Sequence, residues 1–75
     1  MVSLTDARFP PGSPLGRLTE RQQKVLIMAY RNGYYDLPKR VSSEELARVV
    51  GVRASTLVVH RRRAERRLLA ELIGP

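Results

Sequence analysis

The 75-residue sequence predicts an all-α fold, a bundle of three or four helices, and three observations support that prediction. Two segments, Thr19–Gln22 and Ser42–Glu45, carry the Ser/Thr-x-x-Glu/Gln pattern of a capping box, which marks the start of a helix. Gly33 and Gly51 follow the apolar stretches after these caps, where a helix is expected to end. The segment 55–73 contains neither proline nor glycine, which favours a long third helix, either continuous or broken into two.

The first 17 residues are predicted to form a flexible leader, and residues 18–75 the folded domain. Prolines and glycines interrupt any helical pattern in the leader. Leu4 and Phe9 could anchor part of it on the domain, and the alternative is a disordered tail. The interrupting residues are Pro10, Pro11, Gly12, Pro14 and Gly16.

The first predicted helix begins after Thr19, whose side chain can accept a hydrogen bond from a first-turn amide. A connector follows Gly33, because Pro38 forces Leu37 out of helical geometry. The apolar face of the helix consists of Val25, Leu26 and Ala29. Three tyrosines at its end and in the connector are expected to pack against the following helical hairpin rather than to stack on bases, namely Tyr30, Tyr34 and Tyr35.

The second predicted helix is short and leads into a tight turn. Ser42 caps it, and Gly51 ends it after about two turns. Its apolar face consists of Leu46, Ala47 and Val50. Since the third helix is expected to start near Ser55, the two helices and the turn between them form a helix-turn-helix unit. The alternative is an unspecialised helical hairpin.

The third predicted helix has two opposite faces. At about 100° per residue, one stripe faces the core and the other faces away from it. In helix-turn-helix proteins this helix enters the major groove, with its N-terminal residues near the base edges. The core stripe consists of Leu57, His60, Ala64 and Leu68, in which His60 is expected to be partly buried and hydrogen-bonded rather than a metal ligand. The candidate DNA contacts are Ser55, Val59, Arg62 and Arg66 on the opposite stripe, Thr56, Val58 and Arg63 beside it, Arg53 in the turn, and Lys39 and Arg40 in the connector.

Composition and charge indicate the kind of partner. The chain has 14 Lys and Arg against 7 Asp and Glu, a formal net charge of +7, and no cysteine. Arginine suits phosphate because its planar fork donates two parallel hydrogen bonds and stays charged at any working pH. No apolar run approaches the roughly 20 residues that cross a bilayer. The sequence therefore predicts a cytoplasmic domain that binds double-stranded DNA, without a metal, a cofactor or a membrane segment.

Four large apolar residues near the C-terminus exceed what one small core requires. They either complete that core or form the seam of a homodimer, and the seam is favoured because DNA readers of this size usually bind paired half-sites. These residues are Leu68, Leu69, Leu72 and Ile73.

The residues from Leu18 to Leu72 resemble the helix-turn-helix domain of archaeal bacterio-opsin-activator-type regulators, which is itself similar to region 4 of sigma factors. The resemblance is carried by the Leu-Thr-x-Arg-Gln opening at residues 18–22, the Gly-Tyr-Tyr-Asp-x-Pro connector at 33–38 and the Ser-Thr-x-x-x-His start of the third helix at 55–60. It implies a sequence-specific transcriptional regulator with no cofactor in this domain. The chain departs from the family pattern at Arg53, Val58, Val59 and Arg61.

A second interpretation belongs to another class of protein. The chain would then be an interaction module that docks on a subunit of the transcription complex through Val58, Val59 and the 68–73 face, with the arginines serving solubility. An enzyme has almost no support, because the sequence has no pair of carboxylates, activated nucleophile or phosphate-cradling glycine loop.

Overall fold

The computed structural model describes residues 9, 10 and 12–74, and these residues form three α-helices and no strand. The helices are α1 (Glu20–Arg31), α2 (Ser43–Val50) and α3 (Ala54–Ile73), preceded by a short 3-10 helix over Leu15–Arg17. The all-α prediction is confirmed, and the long third helix is continuous. It begins at Ala54, one residue before the predicted start.

Both capping boxes are formed. The amide of Gln22 donates to the Thr19 hydroxyl oxygen at 3.1 Å, and the Thr19 amide donates to Gln22 Oε1 at 3.0 Å. Ser42 and Glu45 make the same reciprocal pair, at 3.1 and 2.8 Å. These bonds span only three residues, which is why the short sequence pattern predicts the starts of α1 and α2.

Left-handed glycines end the first two helices. Gly33 has φ +84°. Beside it the Tyr34 amide donates to the Ala29 carbonyl, five residues earlier, at 2.9 Å, which is the outer hydrogen bond of a Schellman cap. Gly51 has φ +91°, and its amide donates to the Ala47 carbonyl at 2.8 Å. Only a glycine adopts these angles without strain, so the turn between α2 and α3 depends on Gly51.

The core consists of two clusters of buried side chains, one where all three helices meet and one between α1 and the middle of α3. In the first, Leu46 and Leu57 are fully buried, and Ala47 lies between α2 and α3 with 2% of its surface exposed. The small side chain of Ala47 lets the two helices approach closely. The first cluster comprises Val25, Ala29, Tyr34, Leu46, Ala47 and Leu57, and the second comprises Leu18, Leu26 and Ala64, with Leu15 and Leu68 packed against it.

Part of the predicted leader packs on this core. Leu15 lies against the second cluster, and Arg17 forms an ion pair with Glu71 of α3 at 3.4 Å. Phe9 is half-buried, whereas Leu4 lies outside the described residues. A Cβ at Gly16 would come within 2.0 Å of the Pro10 carbonyl oxygen, so the chain folds closely on itself there. The flexibility of the leader and the domain boundary after residue 17 remain predictions.

Candidate nucleic-acid interface

The outer face of α3 carries the predicted polar stripe. Leu57 and Ala64 have no exposed surface, so they fix which side of α3 faces the core. Val59, on the opposite side, is 46% exposed. Thr56 and Val58 are half-buried at the two edges, and the exposed members of the predicted contact set on α3 are Ser55, Val59, Arg62, Arg63 and Arg66. The helical period therefore gathers the predicted residues on one surface, because α3 is a single continuous helix.

Ion pairing divides the arginines near α3 into two groups. Arg61 binds Glu65 at 2.8 Å, and Arg67 binds Glu71 at 3.1 Å, so both are neutralised within the domain. Among the residues that the structure describes, the other four have no carboxylate at ion-pair distance. These four are Arg53, Arg62, Arg63 and Arg66, which are the four arginines predicted to contact DNA.

The N-terminus of α3 lacks the side-chain cap that α1 and α2 possess. Arg53 occupies the cap position with extended backbone angles, φ −71° and ψ 153°, and its side chain makes no capping bond. The first turn of α3 contains no acidic residue. The partial positive charge of the helix end thus adds to the Arg53 guanidinium at the end of the helix that carries Ser55.

Replacing Arg53 with serine is expected to change stability and DNA binding in opposite directions. A serine cap satisfies a first-turn amide and should raise the free energy of unfolding by about 0.5–1 kcal/mol. The loss of one phosphate-binding charge should weaken DNA binding by about five- to tenfold at low salt. Urea unfolding and fluorescence anisotropy with a labelled duplex measure the two effects.

The matched control for this substitution is Arg53→Lys. It keeps the charge and adds no cap, so both stability and affinity should stay near those of the unmodified protein. Unchanged DNA affinity in Arg53→Ser would remove Arg53 from the interface.

Lys39 and Arg40 do not lie on α3 but on the connector between α1 and α2. The Lys39 ammonium lies 4.3 Å from the centre of the Tyr34 ring, within cation–π range. Arg40 pairs with Asp36 at 3.0 Å, and its side chain is 78% exposed. Both cations are thus accessible on the connector, and Asp36 partly neutralises Arg40.

The tyrosines differ from one another in their surroundings. Tyr34 is 5% exposed and packs in the core, as predicted, with its hydroxyl 3.2 Å from Ser43 Oγ. The hydrogen bond to Ser43, with the nearby positive charges of Arg61 and Lys39, lowers the pKa of Tyr34. Tyr30 is 71% exposed, so the prediction that it packs against the hairpin is wrong. Tyr30 lies one turn after Leu26, on the side of α1 that borders a groove with the C-terminal half of α3, whereas Val25 and Ala29 face the hairpin.

Tyr35 and Glu65 form a contact that the sequence patterns did not predict. The Tyr35 hydroxyl donates a hydrogen bond to Glu65, which lies 30 residues further along the chain. Burial, the hydrogen bond to Glu65 and the negative charge of that carboxylate together raise the pKa of Tyr35. Arg61, at the edge of the core stripe, was expected to reach solvent or a carboxylate, and it binds both oxygens of Glu65.

His60 is half-buried on the core stripe, as predicted, but makes no hydrogen bond within the described part of the chain. Among residues 9, 10 and 12–74, no group of three His, Cys, Asp or Glu side chains could hold a metal ion. None of the helices described above is both long and apolar enough to span a bilayer.

An apolar groove of about 670 Å³ lies between α1 and the C-terminal half of α3. Ile27, Tyr30 and Leu69 line it, with Leu15 also contributing to its wall. Leu68 is half-buried against the second core cluster and therefore completes the core, one of the two roles that the sequence left open. The other three apolar residues at the end of α3 are exposed: Leu69 by 52%, Leu72 by 60% and Ile73 by 79%.

Three helices, a glycine turn between the second and third, and a cationic outer face on the third define a helix-turn-helix domain. The chain belongs to the family of HTH DNA-binding domains, whose model matches residues 18–70. This membership confirms the resemblance to the bacterio-opsin-activator-type domain.

The comparison with curated proteins gives a consistent result. A protein of Haloferax volcanii that carries the provisional name of transcriptional regulator is 40% identical over 53 residues. The match covers 71% of this chain but only 9% of that relative, so the chain corresponds to one small part of it. No solved structure matches the chain significantly.

Proposed function

We propose that the chain is a sequence-specific DNA-binding domain of a transcriptional regulator, and that α3 enters the major groove of double-stranded DNA. The observation that carries the proposal is the exposed stripe on α3 with the turn before it, where Arg53, Arg62, Arg63 and Arg66 have no carboxylate at ion-pair distance within the described residues. Arg53, Arg62 and Arg63 lie in the turn and in the N-terminal half of α3, the part of a reading helix that approaches the bases, and Arg66 lies one turn further along. The name of the Haloferax volcanii relative supports the regulatory role.

The exposure of each side chain suggests its role in the complex. Ser55, Thr56 and Val59 would lie nearest the base edges, as is usual for the start of such a helix. Val59, with the exposed part of Val58, can contact thymine methyl groups. The guanidinium groups would bind phosphate oxygens or the acceptor edge of guanine, and Lys39 and Arg40 would bind flanking phosphates. The proposed guanidinium contacts are Arg53, Arg62, Arg63 and Arg66.

The salt dependence of binding to random duplex tests this function. Neutralising about six phosphates should make log K fall against log salt with a slope of roughly −5, because each contact releases condensed counterions. Anisotropy titrations at several salt concentrations measure the slope. A slope near zero contradicts the proposal, since DNA binding by this surface has to be electrostatic.

Arg62→Ala separates base reading from phosphate binding. The substitution should weaken binding by about 1–3 kcal/mol. If Arg62 reads guanine, the loss is confined to duplexes with guanine at one position, whereas a phosphate contact weakens all sequences alike. A panel of duplexes that differ at single positions measures this difference.

A homodimer through the end of α3 is proposed as the binding unit. Leu69 lines the apolar groove, and the exposed Leu72 and Ile73 follow it by three and four residues on α3. These residues lie at the end of α3 opposite Ser55, so a seam there leaves the start of α3 free for DNA. Selection of bound duplexes from a random pool tests this proposal. An inverted repeat supports a symmetric dimer, and a single short site supports a monomer.

The same exposed apolar residues favour one alternative partner, a subunit of the transcription machinery. In that function α3 would contact protein through Val58, Val59 and the 68–73 face, and the arginines would serve solubility and not touch DNA. A cytoplasmic location is consistent with both proposals.

A further inference from the structure

The connector between α1 and α2 is attached to α3 by a cluster of four side chains, which we call the connector clamp: Tyr34, Tyr35, Arg61 and Glu65. Glu65 accepts a hydrogen bond from the Tyr35 hydroxyl on one side and two from Arg61 Nη1, at 2.9 and 2.8 Å, on the other. The side chains of Arg61 and Glu65 are only 18% and 30% exposed. The clamp thus joins segments that are far apart in sequence through partly desolvated, charge-assisted bonds, which are stronger than exposed ones.

The positive charge of Arg61 is directed inward. Its guanidinium carbon lies 5.3 Å from the centre of the Tyr34 ring, and its Nε is buried with no hydrogen-bond partner among the described residues. Desolvating an arginine is costly relative to packing an apolar side chain at the same place. What the arginine adds over an apolar side chain is direction, since the two hydrogen bonds from Arg61 Nη1 to the oxygens of Glu65 orient the carboxylate that Tyr35 binds.

Of the two exposed cations of the connector, Lys39 contacts this cluster through Tyr34, and Arg40 packs on Gly33, the residue before Tyr34. Tyr34, whose ring meets that of Tyr35 edge-on at 5.3 Å, holds the Lys39 ammonium over its face at 4.3 Å. The Arg40 amide donates to the Gly33 carbonyl at 3.0 Å. The Arg40 side chain packs so closely on Gly33 that an added Cβ there would come within 2.7 Å of Arg40 Cβ. The Arg40 backbone is therefore bonded to Gly33, and the Lys39 side chain is held on the Tyr34 ring.

The clamp also determines where the connector lies relative to the proposed DNA surface. Glu65 follows Arg62 by three residues, so the two side chains are neighbours on the surface of α3. Because Tyr35 binds Glu65, the connector meets α3 at the edge that borders the arginine stripe. Cations held in place before binding lose less conformational entropy when they meet phosphate than mobile ones do.

We infer that Tyr35, Arg61 and Glu65 are positioning residues for nucleic-acid binding, which hold Lys39 and Arg40 beside α3 as a second phosphate-binding element. Arg61 itself does not contact DNA. The inference rests on the DNA-binding function proposed above and adds to it the residues that orient the connector.

Tyr35→Phe tests the clamp, because it removes only the hydroxyl that binds Glu65. Affinity for duplex should fall about tenfold as Lys39 and Arg40 become mobile. The slope of log K against log salt should become shallower by about 1–2, which corresponds to the loss of one or two phosphate contacts. Tyr30→Phe is the matched control: its hydroxyl has no hydrogen-bond partner within the described residues, and both quantities should stay unchanged.

A double-mutant cycle distinguishes positioning from a general loss of stability. In a Lys39→Ala/Arg40→Ala background, Tyr35→Phe should have no further effect on affinity or on the salt slope, because the groups that it positions are absent. An equal loss of affinity in both backgrounds overturns the inference. Unchanged affinity in Tyr35→Phe alone overturns it as well.

Amide hydrogen exchange in the free protein separates failure of the clamp from failure of the proposed function. The Arg40 amide, which is bonded to Gly33, should exchange faster in Tyr35→Phe than in Tyr30→Phe, whereas amides of α1 should not. Unchanged exchange at Arg40 refutes the clamp even if the protein binds DNA. The last outcome combines faster exchange at Arg40 in Tyr35→Phe with DNA binding of the unmodified protein that does not depend on salt. It would show that the clamp holds the connector in place but has no role in nucleic-acid binding.

Discussion

Leu57→Ala is expected to lower the free energy of unfolding by about 3 kcal/mol, within the range of about 2–5 kcal/mol measured for buried leucines. Leu57 has no exposed surface and packs against Leu46 and Val25, so its truncation leaves a cavity where all three helices meet. A domain of this size has a total stability of roughly 4–11 kcal/mol. The loss is therefore a large fraction of the total, and urea unfolding followed by circular dichroism measures it.

Leu37→Ala is the control for this prediction. Leu37 is 97% exposed on the connector, and the same loss of atoms there should change stability by less than about 0.5 kcal/mol. Equal effects of the two substitutions would contradict the position of α3 on the core. If Leu57→Ala does not fold, Leu57→Val keeps most of the packing and should give a smaller, measurable loss.

Val59→Glu is expected to weaken binding to duplex DNA by more than about a hundredfold, because a carboxylate facing the phosphates and base acceptors costs several kcal/mol. Val59 is 46% exposed on the outer side of α3, so the substitution should leave the fold intact. Anisotropy titration with the duplex obtained by selection measures the effect, and circular dichroism checks that the helices are retained.

Val49→Glu provides a control with the same change in charge and nearly the same exposure. Val49 lies on α2 with 47% of its surface exposed, and its substitution should reduce affinity by less than about fivefold, since charges away from the interface are screened. The two variants also distinguish DNA binding from docking on a subunit of the transcription complex. If Val59→Glu binds DNA normally but loses binding to a transcription-complex subunit, the chain is an interaction module instead.

The parts of the fold that the sequence predicted are those built from local interactions. The capping boxes at Thr19 and Ser42 and the left-handed glycines at Gly33 and Gly51 involve bonds between residues no more than five positions apart. Such bonds can be recognised from a few consecutive letters. The helical period then assigned α3 its buried and exposed stripes, because the angle between successive side chains is fixed by the backbone.

The candidate site was predictable only as a set of exposed positions. Composition gives the same charge to every arginine, yet Arg61 and Arg67 are neutralised by carboxylates one turn along α3, whereas Arg62, Arg63 and Arg66 have no such partner within the described residues. An i,i+4 spacing permits an ion pair but does not require it.

The sequence by itself determined the starts of α1 and α2, the turn between α2 and α3, and the face of α3 that bears the arginines, since each of these follows from short-range backbone geometry. Only the tertiary structure decided that Tyr35 reaches Glu65, that Leu68 completes the core and that Tyr30 faces outward. These outcomes depend on how the helices pack. Packing brings together residues at irregular separations along the chain, so no repeating pattern in the sequence indicates them. For that reason the surface of α3 could be predicted, while the clamp that holds the connector beside it could not.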